Sequence, residues 1–126
     1  MSRAVIPCCV AITDRLCFNQ FYLRAPREGL VPGSALHSFG SPVDDMGTEV
    51  RPFHQQGTVG VSIDYLWQEW GLDFPNHLKI DVDGLEEKVV AGSEQTLEDP
   101  RLRSVLVEID AHTGHPGLIV ERLTKV

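Results

Sequence analysis

The chain has 126 residues, 42% of them hydrophobic and 23% charged, with 11 Lys and Arg against 18 Asp and Glu. That length supports one domain and no second core, and it suffices for a core without disulfide staples. A net charge of −7 repels phosphate backbones and anionic lipid, which argues against a generic nucleic-acid or membrane-surface role.

The first nine residues carry one positive charge and a short apolar run with no cleavage signature, so no secretory signal is read and the expected compartment is the cytoplasm. The longest apolar run, Val5 to Ile12, falls far short of the roughly 20 residues that span a bilayer. Cys8, Cys9 and Cys17 form no C-x-x-C spacing. On a strand, Cys8 and Cys9 would point to opposite faces, making them poor partners for one metal or for each other, and buried reduced thiols are the expectation.

Residues 4 to 12 are a nearly continuous apolar run, read as a strand buried on both faces of a parallel sheet. Residues 16 to 23 alternate loosely and suggest a second strand. Residues 25 to 57, rich in proline and glycine, read as an irregular insertion. Val59 to Val61 suggest a short strand. Ser62 then reads as the N-cap of a helix that places Ile63, Leu66, Trp67 and Trp70 on one face, with Gly71 as its C-terminal glycine. Both tryptophans read as core anchors.

Leu78 to Val82 read as a strand ending at Asp83-Gly84, followed by a helix over 85–97 with Leu85, Val89 and Leu97 inward, stopped by Asp99-Pro100. Ser104 to Ile109 suggest another buried strand, and Pro116 opens a helix with Ile119, Leu123 and Val126 on one face. Alternating strands and helices imply an α/β domain with a largely parallel sheet.

In such sheets ligands gather at the carboxyl ends of the strands. Asp81 and Asp83 end one strand, and Glu108 and Asp110 end the next, so neighbouring strands would bring up to four carboxylates to one edge. Such a group could bind a divalent cation, serve as a general base or attract a cationic cofactor. Asp83, Glu86 and Glu87 sit at a helix start, where negative charge complements the macrodipole whatever the function. Asp81 lies within an apolar strand and reads as functional. His112 and His115 follow the Glu108 strand end and could supply a base from the same edge, whereas His37, His54 and His77 have no partner at a telling spacing. No phosphate-binding glycine loop, nucleophile elbow or calcium loop is present.

Val61-Ser62-Ile63-Asp64-Tyr65-Leu66, Leu78-Lys79-Ile80-Asp81-Val82-Asp83-Gly84-Leu85-Glu86, Val90-Ala91-Gly92 and Val105-Leu106-Val107-Glu108-Ile109 together resemble the FkbM-type S-adenosylmethionine-dependent methyltransferases. Order and spacing match over residues 58 to 110, and Val10-Ala11-Ile12-Thr13-Asp14 resembles a further segment of that family. Two departures are Asp83 in place of the usual Glu and Ile63 in place of Leu. The resemblance implies a class I, Rossmann-like methyltransferase fold that uses S-adenosyl-L-methionine to methylate a hydroxyl of a small molecule or glycan. No nucleic acid, membrane or metal is implied. It places Ala11, Ile12 and Asp14 on the adenine side of the cofactor and Asp81 near its methionine part. Asp81, Glu108 and His112 are then the catalytic candidates.

Ile80-Asp81-Val82-Asp83-Gly84 also resembles the first motif of haloacid-dehalogenase-type magnesium phosphatases, but Leu85 stands where that motif has Thr. A third reading is a non-catalytic remnant or interaction domain. The family's glycine-rich cofactor turn is absent, so the chain is expected to be a partial methyltransferase domain, from the third strand onward over 1–126, with an incomplete and mostly parallel sheet. The 4–12 strand would then lie about 14 Å, or three strand spacings, from the 76–82 strand, too far to hydrogen-bond.

Overall fold

A computed structural model describes residues 5–23, 37–43, 48–49, 51–109 and 116–124. In chain order the elements are β1 (Ala11–Ile12), β2 (Cys17–Leu23), β3 (Ser38–Phe39), β4 (His54–Val61), α1 (Ile63–Gln68), β5 (His77–Ile80), α2 (Glu86–Ala91), α3 (Glu94–Glu98), β6 (Ser104–Val107) and α4 (Pro116–Thr124). The architecture is α/β with two sheets. One has the order β1-β4-β2-β3, and the other pairs β5 with β6.

The sheet is mixed, which corrects the expectation of a mostly parallel one. β1–β4 and β5–β6 are parallel, whereas β2 runs antiparallel to both β3 and β4 and matches β4 from Cys17 opposite Gly60 to Leu23 opposite His54. Residues 54–58, His-Gln-Gln-Gly-Thr, carry no apolar signal, so pairing with β2 rather than pattern makes them a strand. Both β3 and the start of β4 fall within the stretch read as irregular; residues 25–36, 44–47 and 50 of that region lie outside the described residues.

The buried strand expected over 4–12 shrinks to Ala11–Ile12, while Val5 and Ile6 are 90% and 70% exposed. Pro7 has no N–H to give a ladder, and the Val10 N–H turns back to the Cys8 carbonyl at 2.9 Å instead of pairing with a strand. Cys8 and Cys9 are consequently exposed and Cys17 is half-buried, correcting the expectation of buried thiols.

Helix α1 begins as the sequence indicates, with the Ser62 hydroxyl accepting from the Tyr65 N–H at 3.1 Å. Gly71, at φ +68°, lets the chain turn away as the Leu72 N–H reaches the Leu66 carbonyl at 3.2 Å. Ile63 is buried and Trp67 half-buried, but Trp70 falls beyond the helix and is 45% exposed, so it is no core anchor. Trp67 stands edge-on to Phe74 and donates its ring N–H to Thr96 Oγ1 at 2.9 Å, with Arg101 over the Phe74 ring.

The single helix expected over 85–97 breaks at Gly92-Ser93 into α2 and α3. Ser93 turns its hydroxyl to the Val89 carbonyl, and the Asp64 carboxylate receives the free N–H groups of Gln95 and Thr96 at 3.0 and 2.8 Å. The acceptor that starts α3 thus comes from α1 rather than from the local sequence. Val89 and Val90 of α2, Leu97 of α3 and Ile119 of α4 pack with Ile63 and Ile80, and Leu78, Val105 and Val107 join them from the two-stranded sheet. Among the described residues only one face of that sheet is covered: Leu106 is 62% exposed beside Lys79, so β6 is not the fully buried strand its composition suggests. Val126 lies outside the described residues.

Candidate active site

Lys79 lies in β5 and Asp81 one residue past its end, while Glu108 follows β6 directly. Parallel pairing sets Ile80 beside Val107, and the Glu108 N–H donates to the Ile80 carbonyl at 3.0 Å. The ladder therefore continues far enough to bring the Asp81 and Glu108 carboxyl groups together. Lys79 and Asp81, two apart, share a face, and Lys79 Nζ donates to Asp81 Oδ2 at 2.6 Å.

Two adjacent carboxyl groups cannot both ionise freely. Asp81 is held below the usual carboxylate range, first by the hydrogen bond from Lys79 and then by one from Glu108. Glu108 is pushed up, first by its hydrogen bond to Asp81 and next by the Asp81 charge. The Lys79 ammonium is pushed up in turn by its bond to Asp81. Asp81 is thereby kept anionic and Glu108 becomes the more basic of the two, the division of labour that acid–base chemistry needs. The Lys79 and Asp81 side chains are 65% and 43% exposed, so this edge opens to solvent.

Of the four carboxylates the sequence offers for this edge, Asp81 and Glu108 meet. Asp83 sits in a turn at φ 28°, off the strand pleat, although its charge still raises the proton affinity of Glu108. Asp110, His112 and His115 lie outside the described residues, and with them the catalytic reading of His112. Glu86 accepts from the Gly84 N–H at 3.3 Å and serves the turn before α2. His77 shares a 2.7 Å hydrogen bond with Ser104, and the His37 ring stands edge-on to Phe21. Among the described residues, no group of three or more His, Cys, Asp or Glu is placed to hold a metal ion, and nothing in the geometry favours the phosphatase reading.

The other candidate cofactor residues lie at the end of β1. Ala11 and Ile12 are half-buried, with Ile12 packed against the core. The Asp14 carboxylate accepts from Thr13 Oγ1 at 3.1 Å and lies 3.5 Å from the exposed Arg15 guanidinium. Asp14 borders an open hollow of about 250 Å³, with Ser62, Asp64, Tyr65 and Gly92 among its lining. β1 and β5 belong to different sheets, and Asp81 does not line this hollow.

Sequence reading missed the Lys79–Asp81 bond, although the period-2 spacing that groups Asp81 with Asp83 signals it equally well. It also missed Asp64 as the cap of α3, which has no local signal because the partners are 32 residues apart. Among the described residues no helix is long and apolar enough to cross a membrane. No curated protein and no solved structure matches the chain. The family model for the methyltransferase FkbM domain matches residues 3–121, most of the 126, so the chain belongs to the FkbM methyltransferase family.

Proposed function

We propose that the chain is an S-adenosyl-L-methionine-dependent O-methyltransferase domain acting on a hydroxyl of a small molecule or glycan in the cytoplasm. The observation that carries this reading is the Asp81–Glu108 pair at the carboxyl ends of adjacent parallel strands, its two members driven apart in proton affinity. When bound, the cofactor supplies an electrophilic methyl group on a sulfonium. The donor set suits it, since Asp14 and Asp81 are acceptors for amino and hydroxyl groups and anions that complement a cation. By family resemblance, Ala11, Ile12 and Asp14 hold its adenine side and Asp81 its methionine side.

In this reading Glu108 takes the proton of the acceptor hydroxyl as the oxygen becomes nucleophilic, and Lys79 keeps Asp81 ionised beside it. His112 is a second candidate for the base. Because β1 and β5 lie in separate sheets, the two halves of the cofactor site are not held to each other by strand pairing, and the 126 residues alone bind the cofactor weakly.

Amide chemical-shift mapping with S-adenosylhomocysteine at millimolar concentration tests the site without requiring tight binding. Shifts at residues 10–14 and 81–84 are expected. A spectrum unchanged at both segments overturns the reading, and calorimetric titration then measures how weak the binding is.

A further inference from the structure

We propose that Cys8 and Cys9 form a chelating dithiol for thiophilic trivalent arsenic. The two residues are adjacent and both exposed, with no disulfide at either. The strand geometry that would hold their side chains on opposite faces is missing, because Pro7 precedes them and the Val10 N–H folds back to the Cys8 carbonyl at 2.9 Å, a γ-turn centred on Cys9. The Cys8 thiol donates only a long hydrogen bond among the described residues, to the Ile6 carbonyl at 3.9 Å, and is exposed to an incoming ligand.

Direct oxidation is the less favourable fate of such a pair. Neighbouring Cα atoms stand about 3.8 Å apart across a trans peptide, short of the roughly 4.4–6.8 Å that disulfides span. An arsenic atom inserted between the sulfurs lengthens the bridge and removes that conflict. Thiolates are also the soft ligands that such centres select. In the reaction of an aryl arsenoxide, two S–H bonds break and two As–S bonds form. The arsenic oxygen leaves as water with both thiol protons, and arsenic stays trivalent, so no oxidant is needed. The proposal does not depend on the methyltransferase reading, because it uses no residue of the carboxylate pair.

Phenylarsine oxide and intact-protein mass spectrometry test it on the full chain. One phenylarsenic group per chain is expected, with two thiols consumed. It should survive excess 2-mercaptoethanol and be released by 1,2-ethanedithiol. Cys8→Ser and Cys9→Ser should each abolish retention, and both sites are exposed enough for folding to be unaffected. Cys17→Ser should leave it unchanged. Loss of the adduct to the monothiol, or retention that follows Cys17 instead, overturns the proposal.

Discussion

Gly92 stands so close to Asp14 that a Cβ on the glycine would lie 2.8 Å from Asp14 Cα and 2.5 Å from the Thr13 carbonyl oxygen. The end of β1, which carries Asp14, the start of α1 and the end of α2 converge at this point, and the Asp64 N–H also donates to the Gly92 carbonyl at 3.2 Å. A side chain here must displace backbone. Gly92→Ala is expected to destabilise the chain by about 1–3 kcal/mol in urea unfolding. Gly117 in α4 meets nothing within 4 Å among the described residues, so Gly117→Ala should instead stabilise by roughly 0.5–1 kcal/mol. Equal and small effects at both positions would refute the close approach.

Asp64 holds the first N–H groups of α3 and the buried Thr96 hydroxyl, which in turn accepts from Trp67. Asp64→Ala should cost about 1–2 kcal/mol of stability, the upper part of the range for a helix cap, because Thr96 loses a buried partner. Thermal unfolding at neutral pH measures it, and a change below a few tenths would mean that α3 is capped otherwise.

Asp99 accepts from Arg101 through its backbone N–H, Nε and NH2, at 2.7–2.9 Å, which lowers its pKa from 3.8 to about 2. A carboxylate with a depressed folded-state pKa adds stability above its unfolded pKa and loses it as pH falls through the folded one. The contribution should therefore be whole above pH 3.8 and fade toward about 2. Asp99→Asn should flatten the acid limb of a stability profile over that window. An unchanged limb would show that the contact is not kept in solution.

Glu108 titrates above its ordinary 4.5 and Asp81 below its ordinary 3.8, so the pair should show two separated carboxyl titrations by NMR. Raised affinity means that Glu108 favours the folded state while protonated. Its favourable contribution is present below 4.5 and lost as pH rises through its higher folded value. The Asp81 contribution runs the other way, present above 3.8 and lost as pH falls through its lower value. Overlapping titrations at ordinary values would dissolve the assignment of roles.

If Glu108 is the base, methyl transfer should rise with pH through a pKa above 4.5, and Glu108→Gln should lower kcat by about 10²–10⁴-fold. Lys79→Met should raise the proton affinity of Asp81 by removing its main donor. A Glu108→Gln enzyme with undiminished kcat would move the base elsewhere, with His112 the next to replace.

Features carried by neighbouring residues were legible in the chain itself. Ser62 caps α1 because a hydroxyl three residues before a free N–H needs no tertiary help, and the short apolar stretches 78–82 and 104–109 mark two strands whose ends carry acids. The order of residues across 61–109 also sufficed to indicate the family that the match over 3–121 establishes. Folding decided what depends on partners distant in sequence. Val5 and Ile6 are apolar yet exposed, since no strand among the described residues pairs with them. The polar residues 54–58 are a strand because β2 lies beside them, and α2 parts from α3 because Asp64 arrives from 32 residues away. The chain alone determined that Asp81 and Glu108 would end strands. That those strands are neighbours in register, with Lys79 holding Asp81 anionic and Asp81 in turn raising the proton affinity of Glu108, was decided only by the tertiary structure, because proton affinity is set by what stands within hydrogen-bonding reach.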